Sequence, residues 1–353
     1  MNIAVCAGLL YSAAEDKRNI IAETLSLLAR QMNEHRFLVI KGNDDNYNYT
    51  FPSNVEIIKI GSPGKGQLLR KYWWEIKLPK GLKKVNADVL ISFDGLCSTT
   101  LSLPQVLIII EGEKINPRSF KKAKIIIANS QGYKNEWIKQ LAIEEEKIEI
   151  VPATVNEIYK PLNETEREKV KTKYSDGKEF FLCTGKEVHS ETFISLLKSF
   201  SYFKKRQQSN TKLLLLTKPD KRSLNSLSTY KYKNDIMIIE DITCAEEAAF
   251  TGSSYAVIIL PDDRQPVFNS LKALQSGVPL IASGNSTVKD IAGEVALYTE
   301  NKTEKDVGEK MIRIYADENL RNQLINRGKI VAQNFIMQKT VDGLSRCIVM
   351  AVK

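Results

Sequence analysis

Tyr255–Ser283 reads YAVIILPDDRQPVFNSLKALQSGVPLIAS. Ala256–Leu260 is a continuous apolar run, as a strand buried on both faces requires. Pro261-Asp262-Asp263 breaks it, and Val267, Leu271, Leu274 and Gln275 continue at helical spacing. Gly277 stands where a helix is closed by a left-handed residue, and Pro279 prevents its continuation. Leu280-Ile281-Ala282 opens another strand. A strand with a helix opening past its C-terminal edge is the unit from which open α/β sheets build ligand sites.

The same alternation extends in both directions. Before this unit, apolar runs at Asn2–Cys6, Arg36–Ile40, Val55–Ile60, Asp88–Ser92, Val106–Ile110, Ile125–Ala128 and Ile148–Val151 predict strands. Helical spacing predicts helices at Asp16–Met32, at Leu68–Val85 (interrupted by Pro79-Lys80-Gly81) and at Ser130–Leu141. Leu162–Lys178 is charged and predicts a surface helix. Phe180–Cys183, Leu213–Thr217 and Ile236–Ile239 predict strands of a second set, with helices at Phe193–Lys205 and Ala245–Gly252. After Ser283 come a helix at Val288–Ala292, a strand at Ala296–Tyr298 and helices over Glu304–Tyr315, Glu318–Asn334 and Gln338–Val352. Strands and helices alternating twice over imply two doubly wound, mostly parallel domains.

Composition sets the outer limits. The 353 residues suffice for two ordinary domains, and 43% hydrophobic with 26% charged residues is normal for a globular chain. No apolar run approaches the ~20 residues a membrane-spanning helix needs. The start, MNIAVCAGLL, lacks a basic leader and reads as a core strand, which predicts a cytoplasmic protein. Five cysteines at 6, 97, 183, 244 and 347 contain no CxxC pair and read as buried thiols in a reducing compartment. Two histidines leave no room for a histidine-rich metal site, and no metal or cofactor is expected. There is no GxxxxGK[ST], GxGxxG or GxSxG. Asp262-Asp263 reads as capping or solvated acids, and Asp94-Gly95 as a turn.

The formal charge is +9, and Lys65–Lys84 holds seven Lys/Arg against one Glu. No nucleic-acid motif accompanies it, so no nucleic-acid partner is expected. The segment reads as a solvated basic face or as a peripheral contact with the anionic inner face of a membrane. Trp73 and Trp74 read as core rather than as membrane anchors.

The motifs around Gly277 resemble those of the GT-B glycosyltransferases of family 4 (glycosyl transferases group 1), the nucleotide-sugar-dependent hexosyltransferases. That family carries roughly E-G-F-G and then L-E-A-M-x-x-G-V-P-V, where this chain has Arg264-Gln265-Pro266-Val267 and then Leu271-Lys272-Ala273-Leu274-Gln275-Ser276-Gly277-Val278-Pro279. Pro152–Pro161, PATVNEIYKP, resembles the family's interdomain turn. The resemblance implies two Rossmann-like domains facing across a cleft: an acceptor-side domain over 1–155, a nucleotide-sugar-side domain over 156–337, and a helix over 338–353 that returns to the first.

The chemical positions depart from the family. Its two glutamates, eight residues apart, fall on Arg264 and Lys272, both reversed in charge. A lysine has donors only and cannot accept hydrogen bonds from ribose hydroxyls. Pro266 lacks an N–H, and Gln265 and Val267 replace glycines. The family's glycine-rich loop corresponds to Asp16-Lys17-Arg18-Asn19, with Gly8 earlier. Ile110 occupies the position of the family's histidine, so no catalytic residue is assigned there, and the segment Glu113–Lys122 after it is short. The diphosphate-binding pair corresponds to Gly185-Lys186 and Glu191: Lys186 keeps the charge without arginine's fork, and Glu191 reverses it. His189 reads as a surface histidine. The substrate-binding candidates are Lys186, Glu191, Arg264 and Lys272. The resemblance then implies either a homologue with little or no catalysis that serves as partner or scaffold of a glycosyltransferase, or an active hexosyltransferase with a rebuilt basic site in polysaccharide or glycolipid assembly.

Overall fold

In the computed structural model the chain forms two parallel sheets, and the order of strands in each places the candidate sites. The structure describes residues 1–8, 10, 15–41, 49–61, 64, 66–109, 116–184, 188–260, 266–284, 286–299 and 303–353. The elements in chain order are β1 (Asn2–Cys6), α1 (Glu15–Gln31), β2 (Arg36–Lys41), β3 (Val55–Lys59), α2 (Gln67–Tyr72), a π-helical turn (Trp73–Lys77), α3 (Leu78–Lys84), β4 (Val89–Ser92), β5 (Gln105–Ile108), α4 (Pro117–Lys122), β6 (Ile125–Ala128), α5 (Gln131–Leu141) and β7 (Ile148–Ile150). There follow α6 (Glu164–Ser175), β8 (Phe180–Thr184), α7 (Ser190–Gln207), β9 (Lys212–Leu216), α8 (Lys221–Ser228), β10 (Ile236–Ile238), α9 (Cys244–Ser253), β11 (Ala256–Ile259), α10 (Pro266–Gln275), β12 (Leu280–Ser283), α11 (Ser286–Ala292), β13 (Ala296–Thr299), α12 (Glu304–Ala316), α13 (Glu318–Ala332) and α14 (Met337–Val352).

The chain divides into two units: 1–154 with 336–353, and 155–335. In the first, the sheet order is β3-β2-β1-β4-β5-β6-β7. Ile3 stands beside Phe37 and Val89, and Leu107 beside Ile126, all in parallel register. The central strands β1, β4 and β6 are apolar on both faces, as strands covered by helices on both sides are. α14 belongs to this unit: Val341, Leu344, Cys347 and Ile348 are buried, and Gly343 lies so close to Val151 that a Cβ there would meet its Cγ1 at 2.8 Å. Thr340 Oγ1 donates to the carbonyl of Pro152 at 2.7 Å.

In the second unit the order is β10-β9-β8-β11-β12-β13. Phe181, Cys183, Phe193, Phe200, Phe203, Leu213, Tyr255 and Ile258 pack in one core cluster, with Phe181 edge-on to Phe203 at 5.2 Å. Both sheets reverse direction of growth between the first and fourth strands, β1/β4 and β8/β11. Crevices outside the carboxyl ends of strands at such a reversal are where doubly wound sheets bind ligands.

Several local expectations change. The helix over Leu68–Val85 is not interrupted at Pro79: the π turn passes directly into α3, and the Glu75 carbonyl, four residues before the missing Pro79 N–H, accepts from the Thr100 hydroxyl at 2.6 Å instead. α8 was not expected, because its apolar positions are sparse. The charged tract 162–178 is only partly a surface helix, since Lys171 is buried and paired with Glu179 at 2.6 Å and Glu168 at 3.0 Å. Trp73 and Trp74 are buried. All five cysteines are free, four of them buried, but Cys244 is only half-buried. Among the described residues, no helix is long and apolar enough to cross a membrane.

Candidate functional site

The second unit carries the Lys186, Glu191, Arg264 and Lys272 positions. Lys186 and Arg264 lie outside the described residues, as do Ile110, Gln265 and the pair Asp262-Asp263. In the chain, 185–187 follow β8, and 261–265 follow Leu260, the residue after β11. β8 and β11 are neighbours, with Leu182 beside Val257. Two hydroxyls mark the same edge of the sheet. Thr184 Oγ1 closes β8 and Ser283 Oγ closes β12, and both are buried without a hydrogen-bond partner among the described residues. A buried hydroxyl in this state is ready to bond a polar group brought to the strand ends.

Glu191 sits in the first turn of α7, the next helix after β8 in the chain. It is largely exposed, with Arg222 at 3.9 Å. The partial positive charge of a helix N-terminus is what an anionic ligand would use, and a carboxylate in the first turn takes it up instead. Ser190, its neighbour, donates to Asp220, the N-cap of α8, and this bond with those from Ser223 holds the Asp220 carboxyl down to about 2. His189 is exposed at the N-cap position of α7.

Lys272 is held quite differently. α10 is buried along nearly its whole length, and Lys272 is 7% exposed. Its Nζ donates to Glu247 Oε1 at 2.8 Å, from α9, and stands 5.0 Å from the ring centre of Tyr159. Tyr159 is the buried aromatic of the PATVNEIYKP turn, and Pro161 of the same turn approaches Gly277. Gly277 has φ +68°, and its N–H reaches the Leu274 carbonyl at 3.1 Å while Val278 reaches Ala273 at 2.9 Å. The turn, α9 and α10 thus form one packed block around a lysine–glutamate pair. The helix-closing glycine was legible in the sequence. Glu247 and Tyr159 were not, because they are distant in the chain and belong to no shared motif.

The first unit offers a second edge, at the β1/β4 reversal. Asp94, just past β4, accepts from the Gly8 N–H at 3.1 Å and from the Cys6 thiol at 3.2 Å. Burial, and then the charge of Asp94, push the Cys6 thiol well up. Asp94-Gly95 does turn, with Gly95 at φ +68°, but the carboxylate also occupies the backbone donor that a glycine loop would offer a ligand. The sequence Asp16-Lys17-Arg18-Asn19 lies inside the first turns of α1, not in a loop before it.

No family model matches the chain, and no curated protein matches its sequence. Solved structures do match over the full length. A glycosyltransferase from Rickettsia africae ESF-5 superimposes with a TM-score of 0.76 at 14% identity, over 100% of this chain and 98% of that one. WaaG, a glycosyltransferase involved in lipopolysaccharide biosynthesis, gives 0.70 at 13% identity, over 98% and 99%. Anabaena HepE, solved in complex with UDP and glucose, gives 0.72 at 12% identity, over 99% of each chain. The chain therefore has the two-domain, Rossmann-like GT-B fold that these glycosyltransferases share.

Proposed function

We propose that the chain is a family-4-like protein of the nucleotide-sugar hexosyltransferase group whose donor site has lost most or all transfer chemistry, and that it acts as partner or scaffold of a related glycosyltransferase. The observation that carries this reading is the state of Lys272. Where the resemblance asks for a carboxylate that accepts ribose hydroxyls, there is an ammonium with donors only. Its charge is also committed, to Glu247 at 2.8 Å and to the Tyr159 ring, so it adds little attraction for a diphosphate. Glu191 at the α7 N-terminus and Asp94 on the Gly8 N–H bring negative charge to the strand edges of the two units. A folded core with a stripped site suits a binding role, and fold alone does not assign the chemistry. HepE was solved with UDP and glucose, which makes UDP-sugars the first donors to test.

One observation favours the alternative, an active hexosyltransferase with a rebuilt site in polysaccharide or glycolipid assembly. Glu247 supplies, from another helix, a carboxylate beside the position where the family keeps one. The two readings separate in an assay of sugar transfer from UDP-, GDP- and ADP-hexoses. The expected result is no transfer by the purified chain and a raised kcat of a co-expressed family transferase. Transfer by the chain alone, abolished by Arg264→Ala with the fold intact, would refute the partner role.

A further inference from the structure

In the first unit, α2 buries none of its residues. Leu68 is 83% exposed, Leu69 56%, Tyr72 48% and, in the π turn that follows, Ile76 41%. A six-residue helix with no buried face has nothing in water to hold its apolar side chains. It is nevertheless mounted on a firm base. Trp73, Trp74, Leu78 and Leu82 are buried against Ala4, Ile40 and Leu90, and Trp73 Nε1 donates to the Gly61 carbonyl at 2.6 Å. Gly81 packs α3 so closely on Ile60 that a Cβ would meet its Cδ1 at 2.7 Å.

Charge surrounds the apolar residues with a single sign. Arg70, Lys71, Lys77, Lys80, Lys83 and Lys84 are exposed, and none has an acidic partner within salt-bridge distance among the described residues. The only acid of the segment, Glu75, turns inward: its Oε2 accepts from the Thr99 and Thr100 N–H groups at 2.9 and 3.0 Å and from the Thr99 hydroxyl at 2.9 Å.

We propose that α2 and the π turn form a wedge that docks on an anionic lipid bilayer, with Leu68, Leu69, Tyr72 and Ile76 entering the headgroup layer and the surrounding lysines and arginines binding lipid phosphates. Basic charge alone would give a loose, salt-sensitive contact; protruding apolar side chains beside it add an anchor that salt does not screen. A nucleic acid has no place for the leucines. The apolar residues project on a short helix rather than lining a groove, and a bilayer interface needs no complementary shape. The inference is independent of the transferase reading, since vesicle binding and nucleotide-sugar binding are measured separately.

The test is flotation of the full chain with vesicles of phosphatidylcholine alone and of equal parts phosphatidylcholine and phosphatidylglycerol, at low and high salt. The expected result is binding to the anionic vesicles only, weakened but not abolished by salt. Leu68→Ser with Leu69→Ser should weaken it by at least about tenfold without moving the melting temperature, since neither side chain is in the core. Lys80→Gln with Lys83→Gln and Lys84→Gln should remove most of the salt dependence. A fluorophore on Leu68→Cys should shift to the blue with anionic vesicles. No flotation at low salt, or a leucine variant that binds like the parent, overturns the proposal. A blue shift on adding a related glycosyltransferase but none with vesicles overturns it in favour of a protein partner.

Discussion

Lys272 shows why a glutamate cannot simply be placed where the resemblance expects one. Its ammonium and the Glu247 carboxylate are both largely out of water, with side chains 9% and 17% exposed. Removing one partner strands the other, so Lys272→Met should cost about 3 kcal/mol in urea unfolding. Lys272→Glu, the change that the resemblance suggests, should cost at least as much, because it sets two carboxylates against each other. Adding Glu247→Lys should recover most of the loss, and a double-mutant cycle that shows no coupling would contradict the pairing. The sequence made the reversal at 272 visible. It did not reveal the compensation at 247, since charge pairs across helices follow from packing and leave no pattern in spacing. Lys171, which reads as one more surface charge, is hidden for the same reason.

At the scale of elements, apolar runs were the readable signal. β1, β4, β6, β8, β11 and β12 are strands buried on both faces, and each stands out in the sequence as an uninterrupted hydrophobic stretch. α8 escaped because its residues are mostly polar, and the unbroken passage through Pro79 escaped because a proline in a first turn looks like a break. The exposure of Leu68 and Leu69 was equally invisible: an apolar residue at helical spacing reads as core until the packing is known. The π turn that supports them depends on Glu75. Burial opposes its charge, but bonds from Thr99 and Thr100 outweigh this and hold the carboxyl below its usual range. A group whose pKa is depressed by folding contributes stability above its unfolded pKa of about 4.3 and loses it as pH falls through the folded value. Glu75→Gln should therefore be less stable than the parent near neutral pH, with the gap closing on acidification. Urea melts at a series of pH values check this, and a gap that widens toward acid would contradict the anchoring role.

For the whole molecule, the two units differ in how they use the chain. The second is continuous over 155–335, whereas the first needs 336–353 to complete its core. Truncation before Ile336 removes Val341, Leu344, Cys347 and Ile348 from that core. It should lower the unfolding midpoint of the first unit and leave that of the second nearly unchanged, which tryptophan fluorescence can follow because Trp73, Trp74 and Trp137 all lie in the first unit. An unchanged tryptophan-reported midpoint would contradict this. Two doubly wound domains were legible from alternation alone, the GT-B arrangement only from the motifs around Gly277 and Pro152–Pro161, and the solved glycosyltransferases share that fold at 12–14% identity. The proposed donor site was legible only as a set of departures from the motifs that the chain resembles, Arg264, Lys272 and Glu191 among them, because substituted positions carry no positive motif of their own.

The central claim, that the donor site no longer holds a nucleotide-sugar well, is met most directly by titration calorimetry of the full chain with UDP-glucose, and then with GDP- and ADP-linked sugars. The account predicts no heat of binding at micromolar concentrations and dissociation constants no tighter than about 1 mM, roughly −4 kcal/mol. Micromolar binding of any of these donors, lost when Lys272 or Lys186 is replaced in a variant that stays folded, would contradict it.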